Sequence, residues 1–450
     1  MKLRPYQERC IASLRAAYQR GRRKPCLVLP TGGGKTIVAA SIIQGALRLG
    51  NRTLFVAHRR ELIQQTVEKL ARAGIWDVRV IQAANDTGRP DAPVIVGSIQ
   101  TLTMPRWLGS LPPADLVIPD ECHHLVADRW KQLADAYPAA RLLGLTATPQ
   151  RSDGRPLGDI FDDLIVGATV AELTDAGHLV PCRVFAPPEA LDIRQLALDP
   201  VAAYQQHGDG QRAIVFCVTV EHAEQVAADF NAAGIPAGVV VGTSPPDIRA
   251  VTLQRFAAGE LRVCVNVNVL TEGFDDPPVA VCILARKPQH AGTFLQMAGR
   301  VLRPADGKSR ATLIDLCGSV HDHGPPDMPR EYSLDGKAIT GAKRDAIRQC
   351  PTCGSVFLTG PDRCPECGAA LPSRPVDMPR STGVGVIDIA TLPKHPARAF
   401  TLSVTAKFPG RCRQCLGPIK PGEQIWWAKG EKPKHVECWW DRAPAPTEVA

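Results

Sequence analysis

Short, mostly apolar runs alternate with helical patterns through the first part of the chain. Such runs indicate buried parallel strands when they alternate with amphipathic stretches. The runs are Cys26–Leu29, Leu54–His58, Val94–Ser98, Leu116–Asp120 and Arg141–Thr146. The pattern also predicts helices over Thr36–Leu49 and Glu61–Gly74. Strands and helices in alternation favour a doubly wound α/β sheet.

A second series of the same kind follows a Pro-marked stretch, residues 180 to about 210, that we predict to be irregular. Its strands are Ala213–Val218, Gly238–Gly242, Val263–Val267, Ala280–Ala285 and Ala311–Leu316, and its helices are Glu221–Gly234 and Ile248–Gly259. The second series resembles the first in order and length. Two copies of one parallel α/β core are therefore the simplest interpretation.

The domain plan follows from these patterns and from length, because 450 residues are too many for one ordinary core. We predict a first domain over residues 1–180 and a second over 181–325. Periodicity fades after Gly324, where Pro, Gly and charge take over. Two small cysteine modules over 345–370 and 405–442 flank a Pro-rich linker over 371–398.

Composition narrows the class of protein. A hydrophobic content of 44% with 22% charged residues is typical of a globular chain and not of a disordered one. The net charge of +8 permits a polyanionic partner. No apolar run approaches the length of a membrane span, and the start has no apolar core like that of a signal peptide. We therefore expect a cytoplasmic protein that does not contact a membrane.

The first candidate site is a glycine loop between a strand and a helix. It consists of Thr31, Gly32, Gly33, Gly34, Lys35 and Thr36. Consecutive glycines let backbone N–H groups converge on an anion, and a helix N-terminus adds a favourable dipole. We expect a polyphosphate, with Lys35 on its β and γ phosphates and Thr36 on magnesium. The strict pattern asks for Gly where this chain has Leu29, and a glycine turn with a chance lysine is the alternative.

Two acidic residues end the predicted strand Leu116–Asp120, in the run Asp120-Glu121-Cys122-His123. At the carboxyl edge of a parallel sheet they would face the glycine loop. Asp120 would hold magnesium through water, and Glu121 could take the proton from an attacking water molecule.

With these motifs the chain resembles superfamily 2 helicases of the DEAD/DEAH kind, near the restriction-enzyme type III and XPB-like motors. The resemblance implies two tandem RecA-like domains. Arg4-Pro5-Tyr6-Gln7 resembles the adenine-reading motif, with Gln7 as the base contact. Residues 57–62 and 97–101 are similar to the motifs that grip a nucleic-acid strand. His123, Thr146 and Thr148 resemble the residues that couple the ATP state to that grip.

The second half continues the resemblance. Thr271–Asp275 and Gln296–Pro304 resemble motifs V and VI, which adds Asp275 to the nucleotide site. By that resemblance Gln296 faces the attacking water, while Arg300 and Arg303 act as arginine fingers. A cation supplied by the other domain makes hydrolysis depend on closure of the cleft, because charge develops on the γ phosphate.

Closely spaced cysteines after residue 349 predict zinc. Cys350, Cys353, Cys364 and Cys367 form two Cys-x-x-Cys knuckles, each followed by glycine, and they resemble a zinc ribbon. Two disulfides are the alternative, which a reducing compartment disfavours.

A second set, Cys412, Cys415, His435 and Cys438, predicts a three-Cys, one-His zinc site. Its module contains four tryptophans, Trp426, Trp427, Trp439 and Trp440. They would either form the small core or stack on bases, and the core is the interpretation that we favour.

Together these features predict an ATP hydrolase that moves on nucleic acid or separates its strands, with DNA favoured over RNA. ATP, Mg²⁺ and Zn²⁺ are the expected cofactors. Two alternatives stay open at this point. One is a zinc-dependent nucleic-acid-binding or recruiting protein whose ATPase acts as a clamp, and the other is an RNA helicase.

Overall fold

The structure is a computed structural model of the chain. It describes residues 2–83, 85–124, 127–150, 155–187, 199–336 and 347–371, with short pieces between 402 and 435. The chain divides into two compact units, residues 1–373 and 374–450. Within the described residues, no helix combines the length and the apolar character needed to cross a bilayer.

The first domain is built on a mainly parallel sheet. Its strands are β1 (Pro25–Val28), β2 (Thr53–Ala57), β3 (Val78–Gln82), β4 (Asn85–Thr87), β5 (Val94–Ser98), β6 (Leu116–Pro119), β7 (Arg141–Leu142), β8 (Gly144–Thr146) and β9 (Asp163–Val166). The strand orders are β4-β3-β5-β2-β6-β7 and β8-β1-β9, and only β4 is antiparallel. The Leu143 N–H donates to the Val117 carbonyl (2.9 Å), so that β7 and β8 continue one strand beside β6.

Helices cover both faces of this sheet, which explains why its strands are continuous apolar runs. The helices are α1 (Pro5–Gln19), α2 (Lys35–Arg48), α3 (Arg60–Arg72), α4 (Ile99–Leu102), α5 (Pro105–Leu108), α6 (Ala127–Ala136) and α7 (Val170–Asp175), with 3₁₀ turns at Cys122–His124 and Leu157–Asp159. In α3, for example, Ile63, Thr66 and Leu70 are buried. Their spacing of three and four places them on one helix face.

The second domain repeats the plan. Its strands are β10 (Cys182–Phe185), β11 (Ala213–Phe216), β12 (Ala237–Val240), β13 (Val263–Asn266), β14 (Val281–Leu284), β15 (Ala311–Asp315), β16 (Ile347–Gln349) and β17 (Ser355–Leu358), in the order β12-β13-β11-β14-β15-β10-β17-β16. Its helices are α8 (Pro200–His207), α9 (Val220–Ala232), α10 (Pro246–Ala257), α11 (Ala291–Ala298) and α12 (Ser319–His323). The antiparallel pairs of this sheet are β10 with β17 and β17 with β16.

These two sheets confirm the predicted pair of doubly wound α/β domains, and every predicted strand and helix lies within two residues of its observed bounds. The prediction of an irregular stretch from 180 to 210 is wrong. It contains β10, which pairs in parallel with β15, and the helix α8. In β10 the charged Arg183 obscured the strand pattern, and its Nε donates to the Thr312 hydroxyl (2.7 Å). The start of α8 has a recognisable signal, since the Asp199 carboxylate accepts from the Val201 N–H (2.8 Å) ahead of Pro200.

After α12 the chain returns to the first domain. The guanidinium of Arg330 donates to the His323 carbonyl (2.7 Å) in the second domain. The Gly158 N–H of the first domain donates to the Leu334 carbonyl (2.9 Å), and Leu334 packs against the core cluster that contains Phe161. Residues 324–336 therefore contact both domains.

The second unit contains short strands, β18 (Leu402–Thr405), β19 (Gly410–Arg411), β20 (Pro418–Ile419), β21 (Gln424–Trp427) and β22 (Lys434–His435). β21 pairs antiparallel with β18 and β22. The predicted linker 371–398 lies outside the described residues apart from Leu371. Cys415, Cys438, Trp439 and Trp440 also lie outside them, so the predicted Cys₃His site stays a prediction.

Candidate nucleotide site between two α/β domains

The glycine loop joins β1 to the start of α2. Gly32 (φ 85°) and Gly34 (φ 78°) adopt the left-handed conformation that favours glycine, and α2 begins at Lys35. Leu29, where the strict pattern has glycine, is fully buried, and its N–H donates to the Thr146 carbonyl (3.0 Å). Leu29 is therefore a core residue at the end of β1. It does not obstruct the glycine loop, which can still turn around an anion.

The start of α1 supports the same loop. The Tyr6 hydroxyl donates to the Gly33 carbonyl (2.9 Å). Gln7 is buried, its side-chain Oε1 accepts from the Arg4 N–H (3.0 Å), and a Cβ added at Gly34 would lie 2.5 Å from its Nε2. Gln7 thus lies against the glycine loop. A residue that contacts the base of a nucleotide bound at this loop would need to lie nearby.

The acidic pair follows β6 directly. The Asp120 N–H extends the sheet by donating to the Val56 carbonyl (2.8 Å). Glu121 has a positive φ of 47°, and its carboxylate lies 3.2 Å from the Lys35 ammonium. The loop lysine and both acids therefore meet at the carboxyl edge of the sheet, as predicted from their order in the chain.

Burial sets the electrostatics of the pair. It raises the pKa of Asp120 to about 7, with the charge of Glu121 as the next cause. Burial alone would raise the pKa of Glu121 as well, but Lys35 and then His123 bring it below its ordinary value. Among the described residues the buried Oδ1 of Asp120 has no hydrogen-bond partner. A buried carboxylate near the Lys35 ammonium fits magnesium and a polyphosphate, because carboxylate oxygen binds the cation and the lysine binds phosphate.

The predicted coupling residues lie together. His123 Nδ1 donates to the Thr146 hydroxyl (2.8 Å), which donates to the Thr148 carbonyl (2.7 Å). From the second domain, the Gln296 amide donates to Nε2 of His123 (3.0 Å). A Cβ added at Gly292 would lie 2.9 Å from the Thr148 hydroxyl oxygen. Contacts between the domains thus converge on His123 and Thr148.

Two arginines reach the cleft from the second domain. Arg300 is buried and donates to the Phe274 carbonyl (2.7 Å). Burial, followed by the neighbouring Arg303, lowers the pKa of Arg300 to about 10. Arg303 pairs with Asp275 and lies against the glycine loop, since a Cβ added at Gly32 would be 3.3 Å from its Cγ.

Asp275 lies between the two domains. Its carboxylate binds Arg303 of its own domain and lies 3.7 Å from Nζ of Lys69 on α3. Burial lowers the pKa of Lys69, and Asp275 is the next influence, which opposes that shift. The structure therefore places Asp275 at the cleft, although its described partners are basic side chains.

Sequence reasoning gave no role to Glu272, the buried second residue of the motif V segment. One carboxylate oxygen lies 2.8 Å from His58 Nε2 and 3.7 Å from Arg59 Nε, and the other lies 3.8 Å from His123 Nε2. The segments that contain these residues were predicted, but the contact between them depends on how the domains dock.

The predicted zinc ribbon forms a compact cluster. The Sγ atoms of Cys350, Cys353, Cys364 and Cys367 all lie within 4.8 Å of one another. The following glycines, Gly354 and Gly368, have φ values of 73° and 71°. Burial would raise the pKa of Cys350, but the backbone N–H groups of Cys353 and Thr352 lower it to about 6, whereas burial raises the pKa of Cys353 to about 12.

Comparisons with known proteins agree with this geometry. Residues 1–151 match the family model "Type III restriction enzyme, res subunit", and residues 194–305 match "Helicase conserved C-terminal domain". A 51.5 kDa protein of a Lactococcus phage is 30% identical over 75% of this chain and 76% of its own length. The DNA 3'-5' translocase XPB2 of Sulfurisphaera tokodaii is 27% identical over 70% of this chain and 81% of its own. The structure of a fragment of a putative HsdR subunit of a type I restriction enzyme from Vibrio vulnificus matches with a TM-score of 0.59 and 23% identity, over 74% of this chain and 66% of that one.

Proposed function

This chain belongs to the superfamily 2 helicases, with the restriction-enzyme and XPB-like motors, and from that premise we propose that it is an ATP-driven translocase on DNA. Membership makes it a nucleic-acid-dependent ATPase built of two RecA-like domains. One observation carries the proposal. Lys35 and Glu121 of the first domain share a cleft with Arg300 and Arg303 of the second, so chemistry in the cleft depends on the position of both domains.

The ATP step uses these residues in the roles that their positions allow. Bound Mg-ATP supplies the phosphoanhydride bond whose hydrolysis drives the motor. Lys35, now paired with Glu121, would hold the β and γ phosphates, while Thr36 and Asp120 would hold magnesium. That exchange frees Glu121 to accept a proton from the attacking water. Arg300 and Arg303 would stabilise the charge that develops on the γ phosphate.

Closure of the cleft would be linked to hydrolysis through His123. The ring contacts Thr146 of its own domain and Gln296 of the other. Loss of the γ phosphate removes the anion that attracts both arginines, and the domains then separate. Repeated closing and opening would move the chain along a bound strand.

DNA is the substrate that the relatives favour, because the XPB2 relative is named a DNA translocase. The strand would contact residues 57–62 and 97–101, which adjoin through the Gln100 amide donating to the His58 carbonyl (2.9 Å). We expect contacts mainly with phosphates, and hence binding without strong sequence preference. With a net charge of +8, such binding should weaken steeply as salt rises.

The Cys₄ cluster supports a structural zinc ion, with the four thiolates as its ligands. Cysteines buried in the two α/β domains, such as Cys26, Cys217 and Cys264, form no disulfide, which fits a reducing compartment, and we place the chain in the cytoplasm.

Steady-state ATP hydrolysis tests the proposal. The rate is measured for the chain alone and with single-stranded DNA, duplex DNA or RNA of matched length. We expect DNA to raise the rate at least about tenfold, and Lys35→Ala to abolish hydrolysis. Lys24→Ala, which removes an exposed lysine just before β1, is the matched control and should keep the wild-type rate.

Two results would contradict the proposal. Equal or greater stimulation by RNA would exclude DNA as the preferred substrate. No hydrolysis with any nucleic acid would favour the alternative, a zinc-dependent binding protein with a silent ATP site.

A further inference from the structure

A groove of about 820 Å³ lies on the first domain, at the edge of the sheet opposite to the nucleotide site. It is found where β1 begins, beside Arg22 and Arg23, whereas the glycine loop follows the other end of that strand. The starts of β6 and β7, at Leu116 and Arg141, lie at the same edge. The volume is within the range of about 300–1,000 Å³ that is usual for ligand pockets. The residues proposed to contact ATP and DNA do not line this groove.

Two helices form the apolar walls of the groove. Ile42 and Ala46 of α2, with Leu49 directly after that helix, have a spacing of four and three and lie on one face. Leu49 is 79% exposed, and the other two are partly exposed. The helix α1 contributes Leu14 and Tyr18 to the opposite wall. Part of this apolar surface is therefore open to water, and an apolar side chain of a partner would cover it.

Between these walls the side chains of α2 are small. Ser41 and Gly45 line the groove, and a Cβ added at Gly45 would meet no atom within 4 Å. Glycine inside a helix is destabilising relative to alanine, and no close neighbour requires it at this position. The space above Gly45 is thus large enough for a side chain that comes from outside the domain.

The rim of the groove is basic. Four arginines line it, Arg15, Arg22, Arg23 and Arg141. The lining carboxylate is that of Asp115, which accepts from the Arg52 N–H (2.8 Å). Even with Asp162, whose carboxylate accepts from the Arg23 N–H (2.7 Å), positive charge is in excess. Within the part of the chain that the structure describes, neither Arg15 nor Arg22 has an ion-pair partner.

These walls favour an acidic peptide over nucleic acid. Proteins that bind single strands stack the bases on aromatic side chains. Tyr18 is the aromatic residue among the described residues that line the groove, and its half-buried ring lies under Arg141, whose guanidinium carbon is 5.0 Å from the ring centroid. Little aromatic surface is left for a base. An acidic peptide, in contrast, presents carboxylates to the rim and apolar side chains to the walls.

We propose that this groove binds a short acidic segment of a partner protein. An apolar side chain of the segment fills the space above Gly45, beside Leu49, and its carboxylates pair with Arg22 and Arg141 at the rim. Arginine suits this role because its planar guanidinium binds a carboxylate through two parallel hydrogen bonds. The inference goes beyond the proposed motor activity and does not depend on it, since the groove and the nucleotide site lie at opposite edges of the sheet.

Two substitutions disturb the groove in different ways, and each has a matched control. Gly45→Leu fills the space from the side of α2, whereas Gly45→Ala adds only a methyl group. Arg22→Glu reverses one charge of the rim, whereas Arg262→Glu reverses an exposed arginine of the second domain. We expect all four variants to fold, because Arg22 and Arg262 are exposed and Gly45 adjoins open space.

The experiment selects short random peptides, displayed on phage, for binding to the full chain, with Gly45→Leu used to remove peptides that bind elsewhere. We expect the enriched peptides to have a net negative charge and at least one large apolar residue. The Kd of a labelled enriched peptide is then measured by fluorescence anisotropy. It should rise at least about tenfold in Gly45→Leu and in Arg22→Glu, stay within about twofold in the two controls, and rise with salt.

Several results would overturn the inference. They are a selection that enriches no peptide over Gly45→Leu, enriched peptides of neutral or positive charge, and a Kd that is unchanged in Arg22→Glu. If no acidic peptide binds but single-stranded DNA binds more weakly to Gly45→Leu and Arg22→Glu, the groove is a nucleic-acid surface instead.

DNA-stimulated ATP hydrolysis, measured on the same preparations, separates this inference from the proposed function. We expect wild-type rates in Gly45→Leu and Arg22→Glu. A wild type without stimulation contradicts the motor and leaves the peptide result unaffected. If one of the two variants alone loses hydrolysis, its fold is disturbed, and the Kd of the peptide for the other variant decides.

Discussion

Individual side chains at the cleft are ionisable groups whose charged forms are made costly by burial. Asp120, Glu121 and Arg300 are all buried there. An unpaired ion in such a position costs several kcal/mol, on the order of the net stability of a domain. Lys35 offsets part of that cost for Glu121, and a bound nucleotide with its cation would offset more. The site is therefore less stable than an apolar interface and suited to a ligand-dependent closure.

Lys308 is another partly buried charge, and it offers a test of how far burial disfavours the charged form of a side chain. Its ammonium donates to the carbonyls of Pro277 (2.8 Å) and Val279 (2.6 Å). Burial, with Arg303 as the next cause, lowers the pKa of Lys308 from 10.5 to about 7. Between these two values the unfolded chain binds a proton that the folded chain does not. The contribution of Lys308 to stability therefore rises with pH across that window.

We expect Lys308→Met to remove this rise while it keeps most of the apolar stem. Urea unfolding midpoints of wild type and variant are compared at about pH 6.5 and about pH 9.5. The wild type should gain relative to the variant at the higher pH. A difference that stays constant or moves the other way would show that the lysine remains charged in the folded state.

Among individual residues, the sequence predicted those that a phosphate site requires as particular residue types in a particular order along the chain. Lys35, Asp120 and Glu121 meet because the carboxyl ends of the parallel strands β1 and β6 lie at the same edge of the sheet. The pairs Glu272–His58 and Asp275–Lys69 could not be predicted in this way. Each joins segments far apart in the sequence, and only the docking of two domains brings them together.

Among the elements, the end of α11 lies close to the glycine loop across the cleft. Gly299 caps this helix, and a Cβ added there would lie 2.6 Å from the Thr31 Cβ and 2.9 Å from the Leu295 carbonyl oxygen. We expect Gly299→Ala to hold the helix away from the glycine loop and to lower kcat for ATP at least about tenfold, because small displacements of catalytic groups are costly.

The matched control is Gly45→Ala in α2, where an added Cβ meets nothing within 4 Å. It should keep wild-type hydrolysis and stabilise the helix by about 0.5–1 kcal/mol. Binding of a fluorescent ATP analogue, followed with kcat, shows whether Gly299→Ala impairs closure more than nucleotide binding. Hydrolysis by Gly299→Ala at the rate of the control would contradict this account of closure.

The Cys₄ cluster is joined to the second domain by a strand. β17 pairs antiparallel with β10, and the Gln349 amide donates to the Ala186 carbonyl (2.7 Å). We therefore expect Cys350→Ser to lose about one zinc ion per chain and to lower the thermal midpoint by several degrees. Zinc release and thermal unfolding are measured together, with Cys317→Ser, a cysteine outside the cluster, as control. Unchanged zinc content in Cys350→Ser would exclude the Cys₄ site.

Strands and helices could be predicted where the pattern of apolar residues in the sequence matched their burial in the fold. Strands buried on both faces are continuous apolar runs, and they lie within two residues of their predicted bounds. β10 was missed because its Arg183 is accommodated by Thr312 of the neighbouring strand, a tertiary contact that no local pattern contains. The helix α1 was not predicted, although its buried Cys10, Ile11 and Leu14 have helical spacing.

For the whole molecule, the repeated series of strands and helices predicted two α/β domains. The way the two domains dock depends on individual contacts between them, which the repeated pattern does not reveal. The cleft is held by contacts such as Gln296 with His123, by the Val180 N–H donating to the Leu302 carbonyl (2.8 Å), and by residues 324–336. These contacts join the ATP residues of one domain to the motif VI segment of the other. An ATP-dependent change in the cleft must therefore move one domain relative to the other.

Movement along DNA is the central claim, and displacement of a third strand tests it most directly. A triplex-forming oligonucleotide is bound to duplex DNA at a distance from an open end, and its release is followed with ATP, with a non-hydrolysable analogue and with Lys35→Ala. We expect release by the wild type with ATP only, after a lag that grows with the distance and at a rate that falls as salt weakens binding. ATP hydrolysis stimulated by DNA without any release of the third strand would contradict translocation and favour a clamp.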